Sequence, residues 1–401
     1  MKTKLAIVIG MIFSATVSAQ SSELEELKQR IEELESRQHA VEQQQGKEEG
    51  GITLGGAARF QYSYEDYNDD NSDRGGDFDF DTFRLDANGE IGDLTLSVQY
   101  RWYQYMDVLH HAWVGYEFSD SHSGQLGVTQ VPFGILPYAS HSFFFSSNFY
   151  TGLEDDYDMG LNYKFESKRN RLDLAFYKND EQGGIDGYVS ERSDRYSYDV
   201  VGVRLEGEGT YDVPTLEAGE TNTFNLRYAH TLQLDGGSVE LGLSGQLGEL
   251  EVDGNLDGDH WAAAIHGVIN YGAWNLQLQA ADYQYDIDGM DVEQMVVGAY
   301  AFYDSIPAEA ITYTANIAYS LPVKLGPVTN LTFYNDYSLM TDKPGSLDDT
   351  FMNVTGMAIS AGGLYTYVDF VVAENQPFIG GTLVGSGDTN KRLNINFGYY
   401  F

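Results

Sequence analysis

This 401-residue chain carries 23 lysines and arginines against 61 aspartates and glutamates, so the position of each cation is informative. No Lys or Arg occurs between Trp102 and Tyr163, or between Tyr228 and Val323. Arg59, Arg84, Arg101 and Arg392 fall on the polar positions of alternating segments near the two ends of the chain. A guanidinium is always charged and presents five donors, so several on one wall would attract anions and orient dipolar solutes. A tight turn at Gly92-Asp93 would set Arg84 directly opposite Arg101, a like-charge pairing that is locally destabilising. With about 3.3 Å per residue and a tilt of roughly 40°, Arg59, Arg84 and Arg101 each lie about 20 Å from the near end of their segment. Arg392 lies at nearly the same distance from the C-terminus. The arrangement predicted is a basic belt at a constriction.

Opposite charge is available from residues 132–156, PFGILPYASHSFFFSSNFYTGLEDD. A segment so rich in Phe and Ile would be unfavourable in water and should fold back against a wall. Glu154, Asp155 and Asp156 at its end are the candidate inward-facing acids. If they approach the arginines, a transverse field results; otherwise they form a solvated acidic turn. Acid-rich stretches at 64–81 and 253–259 read as solvated loops, because neither has the twelve-residue calcium pattern.

Other chemistry has little support. The chain lacks cysteine, which removes disulfides and thiolate sites. His110, His111, His122, His141, His260 and His266 show no metal-ligand spacing, so neither metal nor cofactor is expected. His266 should face the lumen. No G-x-S-x-G, P-loop or H-E-x-x-H motif occurs, so no catalytic residue is assigned and an enzyme is not expected. A net charge of −38 excludes a nucleic-acid partner.

The elements that must position these residues alternate with period two. Leu54, Ala58, Phe60, Tyr62 and Tyr64 share one face, and Thr53, Ala57, Arg59, Gln61 and Ser63 the other. Leu94, Leu96, Val98, Tyr100 and Trp102 likewise oppose Thr95, Ser97, Gln99, Arg101 and Tyr103. A sandwich would bury the apolar face, whereas a transmembrane barrel shows it to lipid. Segments of about 10–14 residues and tyrosines near their ends favour the barrel. Eighteen segments fit, including 196–206 and 292–303. That tally, however, puts the tight break at Gly272 on the same rim as the long loops, so one or two divisions in the middle third are wrong.

The N-terminus differs. Lys2 and Lys4, the apolar run 5–17 and Val17-Ser18-Ala19 read as a signal peptide over 1–19. Residues 20–45 contain neither aromatic nor glycine. Leu24, Leu27, Ile31, Leu34 and Val41 follow a heptad seam, with Gln38 at its remaining position, and predict a short oligomerisation coiled coil. Gly46 to Gly51 form a linker.

A signal peptide, a final alternating strand KRLNINFGYYF and a terminal Phe401 resemble bacterial outer-membrane β-barrel proteins. The resemblance covers residues 1–19 and 51–401. It implies that Phe401 belongs to the signal read by the barrel assembly machinery. Residues 110–141, HHAWVGYEFSDSHSGQLGVTQVPFGILPYASH, are further similar to porins of the phosphate-selective O and P type, with GVTQVPFG (127–134) as the shared step. That family's phosphate site uses lysines on the folded-in loop, and residues 132–156 contain none. The resemblance implies 16 strands, with 18 the alternative.

The combined expectation is an all-β transmembrane barrel over 52–401, preceded by a periplasmic coiled coil, in the outer membrane of a Gram-negative bacterium. It would form a homotrimer, contact lipid and lipopolysaccharide, and pass small hydrophilic solutes or ions. The alternative is a plugged structural or adhesive barrel tethered through its coiled coil.

Overall fold

The computed structural model describes residues 51–401. The signal peptide, the coiled coil with its seam and all of the linker but Gly51 lie outside the described residues. Gly51 itself opens the first strand.

Sixteen strands close one antiparallel barrel: β1 (Gly51–Glu65), β2 (Asp77–Ile91), β3 (Leu94–Tyr103), β4 (Asp107–Ser119), β5 (His122–Gln130), β6 (Tyr157–Glu166), β7 (Asn170–Asp180), β9 (Leu216–Leu234), β10 (Gly237–Val252), β11 (Asn255–Tyr271), β12 (Trp274–Ile287), β15 (Glu309–Leu325), β16 (Val328–Thr341), β17 (Thr350–Ala361), β18 (Leu364–Glu374) and β19 (Asn390–Tyr400). Each pairs with its neighbours, and β1 closes on β19 from Ala57↔Tyr400 to Glu65↔Arg392. Three short strands, β8 (Asp199–Val203), β13 (Gln294–Ala299) and β14 (Phe302–Pro307), pair with one another within two of the long loops, and β8 also pairs with the start of β9.

The barrel is inside-out, as its alternation requires. Outward residues such as Leu54, Phe224, Leu247 and Ile265 are more than 60 % exposed. Their inward neighbours, among them Thr82, Asn225, Gln246, Gln277, Asn316 and Asn394, are buried and polar. A soluble sandwich would show the reverse; an apolar outer belt of this extent needs hydrocarbon around it.

Both described chain ends lie at one rim, where the connections are turns of two or three residues. Gly92 and Gly272 turn there with φ of 62° and 57°, in the left-handed region where a side chain is strained. The long connections are at the other rim, beside the short ones at 104–106 and 253–254, and one holds helix α1 (Asp69–Arg74), capped by Asn68 and Gly75. The segments expected as strands at 196–206 and 292–303 are corrected here: they contain β8 and β13, outside the barrel. Buried on both faces (Val200, Val201, Val203; Met295, Val296, Val297), they lack the one-sided exposure of a wall strand. Removing them leaves 16 strands and returns the Gly272 turn to the short-turn rim.

Phe401 continues the closure. Its N–H donates to the Gly56 carbonyl (3.0 Å), and the Gly56 N–H donates back (2.9 Å). A Cβ on Gly56 would lie 2.4 Å from the Arg84 carbonyl oxygen, so the seam between first and last strands needs glycine there.

Candidate functional site: an arginine-lined constriction

The segment between β5 and β6, residues 131–156, folds into the lumen and is bonded across it. The Ile135 N–H donates to Gln279 Oε1 (2.7 Å) and the Gly134 N–H to Ser244 Oγ (3.0 Å). Arg227 Nε donates to the Gly134 carbonyl (2.7 Å), and Asn316 Nδ2 to that of Ala139 (2.7 Å). Asp336 receives the N–H groups of His141 and Ser142 (2.6 and 2.7 Å) on one oxygen. Its other oxygen meets His141 Nδ1 at 2.7 Å, while Asp369 takes the Phe143 N–H at 3.0 Å. A strand wall that faces water supplies polar side chains, and the loop's unpaired backbone groups use them.

The loop buries its apolar content against the opposite contents of the lumen. Phe149 stacks on Phe145 (4.1 Å) and packs edge-on to Tyr198 (5.5 Å), drawing the inserted loops into one aromatic cluster.

A cavity of about 370 Å³ remains beside this loop. Arg59, Arg84, Arg101 and Arg392 all line it, together with Asp79, Asp81 and many aromatic rings. Arg84 does face Arg101 across the ladder. Arg59 bridges Asp81 at 2.8 Å, Arg84 meets Asp86 at 3.3 Å, and Arg392 meets Glu65 at 3.1 Å. Arg101 donates to Gln99 Oε1 (2.6 Å) and lies 4.4 Å over the Tyr196 ring. Arg59 and Arg392 lie over Phe143 and Phe144 of the inward loop at 5.7 and 5.6 Å. Such cation–π contacts hold a guanidinium in place without neutralising it.

The four do not form a level ring. Arg59 pairs with Gly398, whereas Arg392 pairs with Glu65, six residues farther along β1. Distance from the chain end misjudged this, because β1 extends beyond the end of β19 at the short-turn rim. The arginines climb the wall, and Arg392 stands towards the long-loop rim.

The loop acids take other positions, and none of the three lines this cavity. Glu154 braces its own loop, accepting the N–H groups of Ala139 (2.8 Å) and Ser146 (3.1 Å) and the Ser146 hydroxyl. Asp155 accepts the hydroxyls of Tyr196 (2.5 Å) and Tyr157 (3.1 Å). Through Tyr196 it is linked to Arg101, which lies over that ring. Asp156 sits with Asp158 and Asp199, their nearest carboxylate oxygens within 4.8 Å of one another. Burial, then the neighbouring Asp199 and Glu220, pushes the Asp156 carboxyl well up. Asp79 and Asp81, the acids that do line the cavity, stand on β2 beside Arg84, on the same wall as the arginines.

His266 is buried, beside Arg227 (3.2 Å) and Glu240 (3.3 Å). Sequence reasoning did not find the loop anchors Asp336, Asp369, Gln279 and Arg227. Each is one polar residue on an alternating face, with no local signal to mark it.

No family model matches the chain, and no curated protein matches it. Solved structures do. The outer-membrane channel DcaP of Acinetobacter baumannii superposes with a TM-score of 0.56 at 12 % identity, over 88 % of this chain and 98 % of that one. An anion-selective porin from Comamonas acidovorans gives 0.56 at 13 % identity, over 88 % and 100 %. OmpT of Vibrio cholerae, an outer-membrane protein, gives 0.54 at 12 % identity, over 88 % and 98 %. The chain therefore has the closed 16-stranded antiparallel fold of bacterial outer-membrane porins.

Proposed function

We propose that the protein is an outer-membrane porin, a water-filled channel for passive diffusion of small hydrophilic solutes, with a preference for anions. The observation that carries this reading is a cavity beside a loop bonded across the lumen and lined by four arginines, three of them ion-paired with Asp81, Asp86 and Glu65 and the fourth, Arg101, held by Gln99 and the Tyr196 ring. The bulk charge of −38 enriches cations at the mouths, but charge along the narrow part of the pore governs selectivity. The loop lacks the lysines that the O and P resemblance implies, so the proposed preference is for anions in general and not for phosphate.

The same reading includes an exported precursor cleaved after residue 19 and a homotrimer assisted by the periplasmic coiled coil of residues 20–45. It also includes insertion by the barrel assembly machinery through the Phe401 strand and contact with lipopolysaccharide. A trimeric form of Vibrio cholerae OmpT, at 10 % identity, is consistent with that assembly. No enzymatic activity is proposed. Single-channel recording of the folded protein under a KCl gradient tests the proposal. Conductance steps in groups of three with an anionic reversal potential support it. Silence from a folded, heat-modifiable barrel refutes it and favours the plugged structural barrel.

A further inference from the structure

At the exit of the inward loop, five carboxylates crowd around two guanidiniums. Arg195 meets Asp180 (3.1 Å), Glu181 (3.3 Å) and Asp199 (2.7 Å), and Arg192 also meets Asp180 (3.3 Å). Those two cations serve one side of the cluster. On the other side Asp156 and Asp158 are both more than nine-tenths buried. Asp158 faces Asp180 directly across the β6–β7 ladder, a like-charge pair in the wall.

Asp158 is the unusual member. It is 5 % exposed, and its Oδ1 has no hydrogen-bond partner. A buried carboxylate in that condition is strongly unfavourable unless something positive meets it. One carboxylate oxygen each from Asp156, Asp158 and Asp199 lies within 4.8 Å of the others. Oxygens held at about 2.3–2.6 Å on opposite sides of a Ca²⁺ ion lie roughly 5 Å apart, so the three fit one coordination shell. Asp156 and Asp158 point the same way because they are two residues apart in extended chain.

We propose that Asp156, Asp158 and Asp199 bind one hard divalent cation of the calcium class. All-oxygen, all-carboxylate ligation selects that class over thiolate- or imidazole-preferring metals. The ion would offset the cluster's excess negative charge. It would also tie two separate segments together: the junction of the inward loop with β6 and the inserted strand β8. Its role is to hold the constriction loop against the wall, whatever solute the channel passes.

The test uses protein refolded in detergent without lipopolysaccharide, stripped with EDTA and titrated with Ca²⁺ and, separately, Mg²⁺ by calorimetry. One cation per chain is expected, with Ca²⁺ tighter than Mg²⁺, and Asp158→Asn and Asp199→Asn should each weaken binding at least about tenfold. The control Asp253→Asn, in an external turn, should bind as the parent does. If either variant fails to fold, the parent alone decides: its heat-modification midpoint should rise on adding Ca²⁺ after EDTA. Absence of stoichiometric binding to the folded parent would overturn the proposal and leave the cluster neutralised by protons. So would binding that survives both substitutions unchanged.

Discussion

Reversing charge at the constriction should reverse the channel's ion preference, and the effect can be sized. Four arginines and two aspartates line the cavity, and Arg84→Glu with Arg101→Glu would leave two arginines against four acids. A cavity of about 370 Å³ is some 4.5 Å in radius if spherical, so a crossing ion passes within about 5 Å of its wall charges. At that distance one unit charge is worth about 0.8 kcal/mol in water, cut to about 0.5 at 0.1 M salt and about 0.15 at 1 M. Each Arg→Glu change counts two units, and it acts with opposite sign on K⁺ and Cl⁻. The double variant should therefore move the permeability ratio towards K⁺ by several hundredfold at 0.1 M and by close to tenfold at 1 M. Reversal potentials under KCl gradients at both ionic strengths read this directly. Arg84→Gln with Arg101→Gln, which keeps the ladder and removes half the charge difference, should give about half the shift in log ratio. An unchanged reversal potential in a folded double variant would refute the arginine-controlled constriction. A shift that does not shrink with salt would refute its electrostatic origin.

Three further outcomes follow from particular contacts. Asp336→Ala removes the carboxylate that takes two loop N–H groups and the His141 ring. Leaving those groups unpaired should destabilise the loop's inward position by about 2–5 kcal/mol, seen as larger or noisier single-channel conductance in a barrel that stays folded. Gly56→Val places side-chain atoms against the Arg84 carbonyl and the Phe401 ring, and should sharply lower the heat-modifiable fraction by opening the β1–β19 seam. Asp304, on β14 in the long-loop cap, accepts Thr382 Oγ1 (2.6 Å), and burial pushes its carboxyl up to about 7. A raised acid stabilises the folded form most at low pH, and the gain is lost as pH climbs from the ordinary carboxylate range to about 7. Hydrogen exchange in residues 302–307 and 375–389 should thus speed up from pH 5 to pH 7.5, after correction for intrinsic rates. Asp304→Asn should remove that change.

The barrel was legible because the bilayer imposes a rule on every residue of a wall strand. Leu54, Phe60 and Tyr64 had to alternate with Thr53, Arg59 and Ser63, and that period survives in one sequence without tertiary information. The turn at Gly92-Asp93 set the register of β2 on β3, so the Arg84–Arg101 pairing could be counted in advance. The inward fold of residues 132–156 was likewise written in their phenylalanines, which water would not tolerate.

What lay beyond the sequence was whatever depends on strands far apart in the chain. The stagger of β19 on β1 is a property of barrel closure, and it turned an apparently level belt into a rising one. The strand-like segments at 196–206 and 292–303 satisfy local β-propensity, and only the filled mouth of the barrel, which buries both their faces, keeps β8 and β13 out of the wall. The direction of Glu154, Asp155 and Asp156 was undetermined for the same reason. Their partners are Ser146, Tyr196 and Asp199, and a carboxylate turns to the donor or charge that packing places beside it, up to 43 positions away in the chain. Local sequence determines which way a strand residue faces; only the closed, loop-filled barrel determines what it meets there.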